Sequence, residues 1–332
     1  MSTPADLPAI EAIAKRYADF VPVAEEIGSP IYARLCADVA GSELACAFLA
    51  RLPEPKQQPN LFLSAVRVTA GLPADRAALE EVLAAEGEAI AGLMMSRRTQ
   101  TNEPRRCATI LPALAQIEGP IALIEVGTAA GLCLLPDFYG YDWGGHTLPG
   151  EPVMHCTANA ATPLPEAKPE IVWRAGLDLS PIDIDDDGAV AWLRALIWPG
   201  LEERVARLDA CLELARRHRP LIRQGDLTRD LPALAAEAPK DATLVVIHTA
   251  VLIYVDAEGR RRFAETLRTI GARWIAAETP AMFEGLVTGI PDAPDASSFL
   301  LAVDGRAMGW VHPHGARIDW FGPRTLPATA AR

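Results

Sequence analysis

The hydrophobic pattern changes near residue 120 and divides the chain into two parts. Before that point, apolar residues recur at helical spacing, as they do at Ile10, Ile13, Tyr17 and Phe20. Stretches rich in proline and glycine interrupt this repeat at residues 28–30, 52–60 and 71–75. The pattern predicts about five or six helices before residue 118 and no strands. We therefore expect a helical cap or lid domain over residues 1–105.

After residue 120, short apolar runs alternate with amphipathic helical stretches, which is the pattern of a parallel sheet with crossover helices. The runs predict strands that begin at Ile121, Ile171, Leu221, Thr243 and Arg273. A last pair of apolar runs, with Asp304-Gly305 between them, predicts an antiparallel hairpin. Another hairpin is expected as an insertion near residues 136–160. This α/β domain would cover residues 106–332.

The first predicted strand ends in a turn of small residues, within the sequence IALIEVGTAAGL. Glu125 lies at the end of the strand, and Gly127, Thr128, Ala129 and Gly131 follow it. Small residues let backbone N–H groups approach a ligand, and the N-terminus of the helix expected next would favour negative charge. The spacing G-x-A-x-G differs from the dinucleotide fingerprint G-x-G-x-x-G. With its preceding acid it resembles motif I of class I S-adenosylmethionine (SAM)-dependent methyltransferases, although an ordinary tight turn uses the same residues.

Composition narrows the classes of partner. Of the 332 residues, 43 are acidic and 31 are Lys or Arg, and the net charge of −12 argues against a nucleic-acid partner. The six cysteines lack C-x-x-C spacing, so we expect free thiols in a reducing compartment. The N-terminus lacks the pattern of a signal peptide, and no apolar run reaches the length of a membrane span. We therefore expect a cytoplasmic protein without a membrane partner; its oligomeric state is not predicted.

Acidic and histidine side chains lie at the ends of the next predicted strands. Asp178 ends the second strand, where a carboxylate can accept hydrogen bonds from both ribose hydroxyls of a nucleoside. In a methyltransferase, Asp226 after the third strand would bind the adenine amino group, with Leu227 against the ring; the alternative for Asp226 is a helix cap. His248, at the end of the fourth strand, is either a catalytic base or a satisfied core histidine.

The segment RRTQTNEPRRC leads into the first strand. Thr101 or Asn102 is expected to cap a helix whose first turn holds Glu103 and Pro104. In class I methyltransferases the corresponding segment often reaches over the SAM carboxylate. Arg106 is therefore a candidate cation for that carboxylate, since arginine can bind it through two parallel hydrogen bonds.

Two further clusters are candidates for ligand contacts or for turns. Tyr141 and Trp143 alternate with polar residues in the inserted hairpin, where they would line a pocket or pack the hairpin. His312 and His314 lie in the sequence HPHG, and no third ligand stands at a recognisable spacing, so we predict no metal site. A substrate-facing role and an ordinary turn stay open for this histidine pair.

The series of motifs as a whole resembles one specific family, known mainly as a bacterial domain of unknown function. In chain order the series is QTNE with Arg106, IEVGTAAGL, FYGYDW, WRAGLDLSPIDI, LIWP, the Gly-Asp pair at 225–226, IHTAVLIYV and HPHGARIDW. The resemblance implies a Rossmann-like class I methyltransferase sheet with a helical N-terminal cap domain. Where the family has more polar or smaller residues, this chain has Ala129, Cys133 and Ile253, so we expect its substrate or its activity to differ.

The first functional hypothesis is a SAM-dependent methyltransferase that acts on a small molecule. The residues expected to bind SAM are Arg106, Glu125, Gly127, Thr128, Ala129, Gly131, Asp178, Asp226 and Leu227. Methyl transfer mainly requires alignment of the nucleophile with the sulfonium, and His248, then His314, are the candidates for a helpful base. The substrate is expected to contact Gln100, Asn102, Tyr141, Tyr254 and His312, and the cap would exclude water.

The second hypothesis is a non-catalytic SAM- or nucleoside-binding protein that keeps the same fold. The altered positions 129, 133 and 253 support it. A hydrolase on the same sheet is a weaker third interpretation, because the sequence has neither a G-x-S-x-G elbow nor an S-x-x-K motif.

Overall fold

A computed structural model of the chain describes residues 7–100, 102–283 and 285–326. These residues form two compact units: a helical unit of residues 7–100 with 185–206, and an α/β unit of residues 102–184 with the described residues from 207 onward. The α-helices that precede the first strand in the described part of the chain are α1 (Leu7–Ile27), α2 (Pro30–Ala40), α3 (Glu43–Ala50), α4 (Pro59–Ala70), α5 (Arg76–Ser96) and α6 (Cys107–Leu114).

The N-terminal helices end and begin at the predicted interruptions. α1 ends at Ile27 and α4 ends at Ala70, each directly before a glycine with a positive φ angle. α5 begins after Asp75, whose carboxylate accepts the N–H of Ala78 at 2.9 Å and so caps the helix. The predicted helical character of this stretch is confirmed.

The segment of residues 185–206 packs with the N-terminal helices, although in sequence it lies between two strands of the α/β unit. It contains α7 (Asp187–Ala195). Trp192 and Leu196 join the buried core of the helices, and the indole N–H of Trp192 donates to the carbonyl of Arg98 at 3.0 Å. Burial of each large apolar side chain stabilises this packing by about 1.5–3 kcal/mol. The helical unit is therefore built from two stretches of sequence.

The α/β unit is built on a nine-stranded sheet, which makes the architecture mixed α/β, as predicted. In spatial order the strands are β5 (Thr157–Ala158), β12 (Arg317–Trp320), β11 (Arg306–Val311), β10 (Phe299–Val303), β9 (Arg273–Glu278), β8 (Thr243–Thr249), β1 (Ile121–Val126), β6 (Ile171–Asp178) and β7 (Leu221–Gln224). The pairings among β9, β8, β1, β6 and β7 are parallel. The remaining helices are α8 (Glu202–His218), α9 (Leu231–Ala235) and α10 (Ala257–Ile270).

β1 lies inside the parallel part of the sheet, between β6 and β8. All six of its residues are buried, as is typical of the near-continuous apolar runs of parallel strands. Ile124 and Val126 pack in one core cluster with Val246 of β8 and Phe263 of α10. This core fixes the position of the strand end that carries the candidate site.

The last strands form the predicted antiparallel hairpin. β10 pairs with β11 across the turn at Asp304 and Gly305, whose φ angles are 49° and 72°. Two consecutive residues with positive φ are typical of the tight turns that join hairpin strands. This prediction is confirmed.

A small three-stranded sheet occupies the inserted region between β1 and β6. Its strands are β2 (Gly140–Asp142), β3 (Thr147–Leu148) and β4 (Val153–His155). β2 and β3 form the predicted hairpin, and β4 adds a third strand parallel to β2. Tyr141 is buried, stacks on Trp143 at 5.1 Å between ring centroids, and donates its hydroxyl hydrogen to the carbonyl of Pro136. The aromatic residues therefore pack the hairpin, and Tyr141 is too buried for a contact with a substrate.

Candidate functional site

The carboxyl ends of the parallel strands define the region where a ligand would bind. In open α/β sheets ligands bind outside these ends, at the point where the strand order reverses. Here the order reverses at β1, which β6 and β8 flank. The chain after β1, residues 127–133, is called the β1 loop below, and the chain after β8, residues 250–256, is called the β8 loop. Both loops lie at this point of reversal.

The β1 loop does not lead into an α-helix, and that prediction is wrong. The chain continues into one turn of 3-10 helix, Leu132–Leu134, and then enters the small sheet. Pro136 and the alternating aromatic residues after it favour a turn and strands over a continued helix. A three-residue turn has no macrodipole of useful size, so the anion site expected at a helix N-terminus is not formed here.

Side chains from distant parts of the sequence hold the β1 loop in place. Asp178 at the end of β6 accepts the N–H of Ala129 through Oδ2 at 2.8 Å. Asn102 donates to the carbonyl of Thr128 at 3.3 Å and accepts the N–H of Leu132 at 3.2 Å. Asp178, predicted to contact SAM, and Asn102, predicted to contact the substrate, therefore hold the shape of the loop. Ala129 needs such support because its φ of 49° lies in the left-handed region.

The 3-10 turn Pro104–Arg106 that leads into α6 is capped by Glu103, and the expectation that Asn102 is the cap is wrong. Glu103 Oε1 accepts the N–H of Arg105 at 3.2 Å at the start of the 3-10 turn that leads into α6. The same oxygen accepts a second hydrogen bond, from Nε of Arg207 at 3.0 Å. Both polar atoms of the Asn102 amide are bonded to the β1 loop, and the turn is therefore capped by the next residue, Glu103. Thr101, the other predicted cap, lies outside the described residues.

Glu125 is a buried carboxyl group directly beneath the β1 loop. Its Oε2 accepts the hydroxyl hydrogen of Thr128 at 2.6 Å. Burial raises its pKa to about 8, while the Thr128 hydrogen bond and the positive charge of Arg106 act in the opposite direction. A carboxyl group with a pKa near neutrality is typical of functional sites, so this residue joins the candidate site on physical grounds.

The two loops contact each other at Gly127, and the close packing there leaves no room for a side chain. A Cβ atom at Gly127 would lie 2.5 Å from Cγ2 of Val251 in the β8 loop. Its φ of 72° also lies in the left-handed region that favours glycine. The absent side chain therefore serves packing within the protein, whether or not a ligand also approaches the loop.

Arg106 joins β8 to the HPHG turn. Its Nε donates to the carbonyl of Pro313 at 2.8 Å, and its Nη1 donates to Oγ1 of Thr249 at 3.1 Å. Within the described part of the chain, Nη2 has no hydrogen-bond acceptor. Most of the Arg106 side chain is buried, but Nη2 is not among the buried atoms that lack a partner, so this nitrogen is a donor at the surface of the site that a ligand can reach.

The HPHG turn packs directly against the 3-10 turn that carries Arg106. A Cβ at Gly315 would overlap the backbone of Arg105, and Nε of Arg105 donates to the carbonyl of His314 at 2.8 Å. Nδ1 of His312 accepts the backbone N–H of His314 at 3.0 Å. Both imidazole rings are half-buried, with 5.7 Å between their centroids. The turn interpretation is supported, and both histidines lie close in sequence to Pro313, the partner of Arg106.

His248 has the environment of a satisfied core histidine. The side chain is fully buried, its Nδ1 lies 2.7 Å from Oε1 of Glu278, and Nε1 of Trp274 lies 2.7 Å from its Nε2. An indole nitrogen can only donate, so Nε2 must accept and Nδ1 must carry the hydrogen. Both ring nitrogens are engaged by protein groups. We therefore do not retain His248 as the catalytic base.

Glu278 is a residue of this region that the sequence analysis missed. It ends β9, is fully buried, and accepts backbone N–H groups of Val251 at 2.9 Å and Leu252 at 3.2 Å. The signal was available, because the acid follows an apolar run at the end of a predicted parallel strand, as Glu125 and Asp178 do.

Asp226 and Leu227 follow β7 and have local structural roles. Oδ1 of Asp226 accepts both the N–H and the hydroxyl of Thr228, at 2.8 and 2.7 Å. Burial opposes ionisation of Asp226, but these hydrogen bonds hold its pKa below the ordinary value. Leu227 is buried in the core cluster of β1, β6 and β8, where it does not present a face to a bound ring.

The two other residues predicted to contact the substrate are accessible to solvent. Tyr254 in the β8 loop is 71% exposed, beside Ile253 at 56%. Gln100 belongs to the helical unit and is half-buried. Large apolar side chains this exposed at the end of a sheet are available for a ligand.

The described residues contain neither a cluster of metal-ligating side chains nor a helix that could span a membrane. Within residues 7–100, 102–283 and 285–326, no group of three or more His, Cys, Asp or Glu side chains could hold a metal ion. All six cysteines are buried free thiols. No helix in the same ranges is long and apolar enough to cross a membrane.

Comparison with known proteins identifies the family. No curated protein matches the sequence. The model of a family described as "Uncharacterized protein conserved in bacteria (DUF2332)" matches residues 14–320, which is most of the chain. The chain therefore belongs to the DUF2332 family.

Proposed function

We propose that this protein is a SAM-dependent methyltransferase that acts on a small molecule, with SAM bound at the carboxyl ends of β1, β6 and β7. The observation that carries the proposal is the position of Asp178, at the end of the strand beside β1 and within hydrogen-bonding distance of the β1 loop. The parallel strands β7, β6, β1, β8 and β9 stand third, second, first, fourth and fifth among themselves in the chain. This is the order of doubly wound sheets that bind nucleotides where it reverses.

The charges of the site fit the charges of SAM. Asp178 is an acid placed to accept ribose hydroxyl hydrogens, and Nη2 of Arg106 is a donor for the carboxylate of the methionyl group. Glu125 acts through Thr128, whose hydroxyl it fixes at the base of the β1 loop. Leu227 is part of the core, so we assign it no contact with adenine. When bound, SAM supplies the electrophilic methyl group.

The acceptor side of the site is assigned to the β8 loop and the HPHG turn. Exposed Tyr254 offers an apolar surface with a hydroxyl group, and His314 is the candidate base because His248 is enclosed by Glu278 and Trp274. Methyl transfer depends mainly on alignment of the nucleophile with the sulfonium, so a base contributes less than positioning does.

A second candidate function is a SAM- or nucleoside-binding protein without turnover. The observation that favours it is the enclosure of His248, the first candidate base, by two protein hydrogen bonds. Burial of Tyr141 removes a second predicted substrate contact. Both functions share the cofactor site, so the first experiment tests that site alone.

Binding of SAM and S-adenosylhomocysteine is to be measured by calorimetry with the wild-type protein, Asp178→Ala and Asp75→Ala. Asp75 is a matched control, since it also accepts a backbone N–H but lies in the helical unit. We expect saturable binding by wild type and Asp75→Ala, and a loss of at least about tenfold in Asp178→Ala from the missing charge-assisted hydrogen bonds. No binding of either ligand by wild type would contradict the proposal.

Transfer of a labelled methyl group from SAM to a panel of small molecules then separates the two candidates. Turnover that falls in His314→Ala while the affinity for S-adenosylhomocysteine is kept supports the methyltransferase. Binding without transfer to any member of the panel favours the non-catalytic protein.

A further inference from the structure

One carboxylate oxygen binds two consecutive backbone N–H groups in the first half of the β8 loop. Oε1 of Glu278 accepts hydrogen bonds from Nδ1 of His248 at 2.7 Å and from the N–H groups of Val251 and Leu252 at 2.9 and 3.2 Å. The carboxylate itself is oriented from the other side, because Trp274 fixes the ring of His248 through Nε2 at 2.7 Å. The N–H of Ala250 is bonded separately to the carbonyl of Ala277 at 3.1 Å, so Oε1 of Glu278 is the acceptor that fixes the two residues after Ala250.

This arrangement is unfavourable for stability by itself. The second oxygen of Glu278, Oε2, is buried and has no hydrogen-bond partner in the described structure. Ala250, the first residue of the loop, has a φ of 57° in the left-handed region, which non-glycine residues seldom adopt. Buried unsatisfied polar atoms and backbone strain concentrate at functional positions, because elsewhere an apolar residue and a relaxed backbone are more stable.

The β8 loop in turn contacts the two parts of the proposed SAM site. The side chain of Val251 lies directly against Cα of Gly127, at the start of the β1 loop. Oγ1 of Thr249, the last residue of β8, accepts a hydrogen bond from Nη1 of Arg106 at 3.1 Å. A shift of the β8 loop would therefore disturb both the β1 loop and the guanidinium group proposed for the SAM carboxylate.

We propose that Glu278 is a positioning residue for the cofactor site: by fixing the β8 loop it holds Val251 against Gly127 and Thr249 beside Arg106. The proposal rests on the proposed function for its effect on ligand binding, but its effect on the two loops does not require a ligand. Glu278 reaches the site through the backbone of the β8 loop and does not itself touch the cofactor.

Amide hydrogen exchange measured by mass spectrometry tests the effect on the loops. Glu278→Leu removes the acceptor for three N–H groups, whereas Glu278→Gln keeps an oxygen in its place. Leu267→Ala is the matched control, since Leu267 lies outside both loops and its truncation destabilises the core cluster that the β8 loop shares, while every acceptor of Glu278 is kept. We expect Glu278→Leu to accelerate exchange at least about tenfold in residues 250–256 and also in residues 127–133, with little change in the two other variants.

Faster exchange confined to residues 250–256 in Glu278→Leu would overturn the proposal, because the β1 loop would then be independent of the β8 loop. Equal acceleration by Leu267→Ala would also overturn it, because the effect would be general destabilisation. Should Glu278→Leu fail to fold, Val251→Ala tests the same link. It keeps the N–H bonded to Glu278 but removes the contact with Gly127, so faster exchange is expected in residues 127–133 alone.

Affinity for S-adenosylhomocysteine gives the second readout with the same variants. We expect a loss of about tenfold or more in Glu278→Leu, about threefold or less in Glu278→Gln, and wild-type affinity in Leu267→Ala. If the wild-type protein binds no S-adenosylhomocysteine, the proposed function fails while the exchange result still decides the role of Glu278. If wild type and Glu278→Leu bind equally well, the positioning role is contradicted and the proposed function stands.

Discussion

The β1 loop and the β8 loop follow neighbouring parallel strands, and they are held in different ways. The β1 loop is anchored by several side chains from separate elements, including Asn102, Asp178 and Glu125. In the first half of the β8 loop, by contrast, one oxygen of Glu278 accepts both side-chain hydrogen bonds, from the N–H groups of Val251 and Leu252, next to the backbone bond from Ala250 to Ala277. Each loop contains one alanine in the left-handed region, Ala129 or Ala250, so both need such support.

The difference predicts which loop tolerates change. Where several side chains fix a loop, removal of one leaves the others, whereas removal of Glu278 takes away both side-chain hydrogen bonds to the first half of the β8 loop at once. The β1 loop is expected to behave as a rigid part of the sheet end, and the β8 loop as a part whose position depends on Glu278.

The largest effect is expected from the ionisation of Glu125 beneath the β1 loop. Its pKa of about 8 in the folded protein lies above the ordinary value of 4.5, so the folded state holds a proton that the unfolded chain releases. The contribution of Glu125 to stability is therefore full below about pH 4.5 and is lost as the pH rises towards about 8, by up to about 1.4 kcal/mol per pH unit. Glu125→Gln should remove this decline, as measured by urea unfolding across the interval.

Glu118→Gln is the control for this prediction, because Glu118 is an exposed carboxylate of the same unit. Its stability profile should follow that of the wild-type protein. If the difference in stability between the wild-type protein and Glu125→Gln stays constant over the same interval, or rises with pH, Glu125 is ionised in the folded protein and the prediction is contradicted.

The next effect concerns the contact between the two loops at Gly127. Gly127→Ala adds a methyl group that meets Val251 at 2.5 Å in a backbone with a φ of 72°. We expect a loss of about 2–4 kcal/mol in the free energy of unfolding, from backbone strain and overpacking together. Gly144→Ala, at a φ of 79° with open space around it, should lose about 1 kcal/mol from strain alone.

A double-mutant cycle with Val251→Ala sharpens this test. Because the smaller side chain makes room at Gly127, the double variant should recover about 1 kcal/mol or more relative to the sum of the single variants. Additive losses would mean that Val251 does not contact Gly127. Glu278 could then not affect the β1 loop through the β8 loop.

The sequence was sufficient for the parallel strands but not for the loops between them. The apolar runs at 121–126 and 243–249 are long, uninterrupted and bounded by polar residues, so their strands followed from the pattern. The helix expected after β1 did not form, because the small residues at 127–131 are compatible with a turn or a helix and the deciding residues lie further on.

The roles of individual side chains depended on partners that sequence spacing does not reveal. His248 was equally compatible with a base and a core residue, and the decision came from Trp274 and Glu278, 26 and 30 residues away. Asn102 similarly bonds to residues 26 and 30 positions later. Such contacts arise from the strand order of the sheet, so they become visible when the ends of β8 and β9 are brought together.

A smaller effect is expected from loss of one anchor of the β1 loop. Asn102→Ala removes two hydrogen bonds to the loop and should lower stability by about 1–2 kcal/mol. Amide exchange in residues 127–133 should increase less than in Glu278→Leu, since Asp178 still holds Ala129. Asn60→Ala is the matched control, because its amide oxygen also takes part in two side-chain hydrogen bonds but lies in the helical unit. Equal exchange in Asn102→Ala and Glu278→Leu would break the comparison between the loops.

The smallest effect is expected from relief of strain in each loop. Ala129→Gly and Ala250→Gly both remove a left-handed alanine, which gains about 1–2 kcal/mol in the folded state, and both add entropy to the unfolded chain, which offsets about half of it. Unfolding in urea should therefore show a gain of about 0.5 kcal/mol for each. The two variants should differ in their affinity for S-adenosylhomocysteine. In Ala129→Gly the β1 loop keeps its shape, because Asp178 and Asn102 still hold it. In Ala250→Gly the backbone between Thr249 and Val251 becomes more flexible. Weaker binding by Ala250→Gly alone would show that the rigidity of the β8 loop contributes to the site.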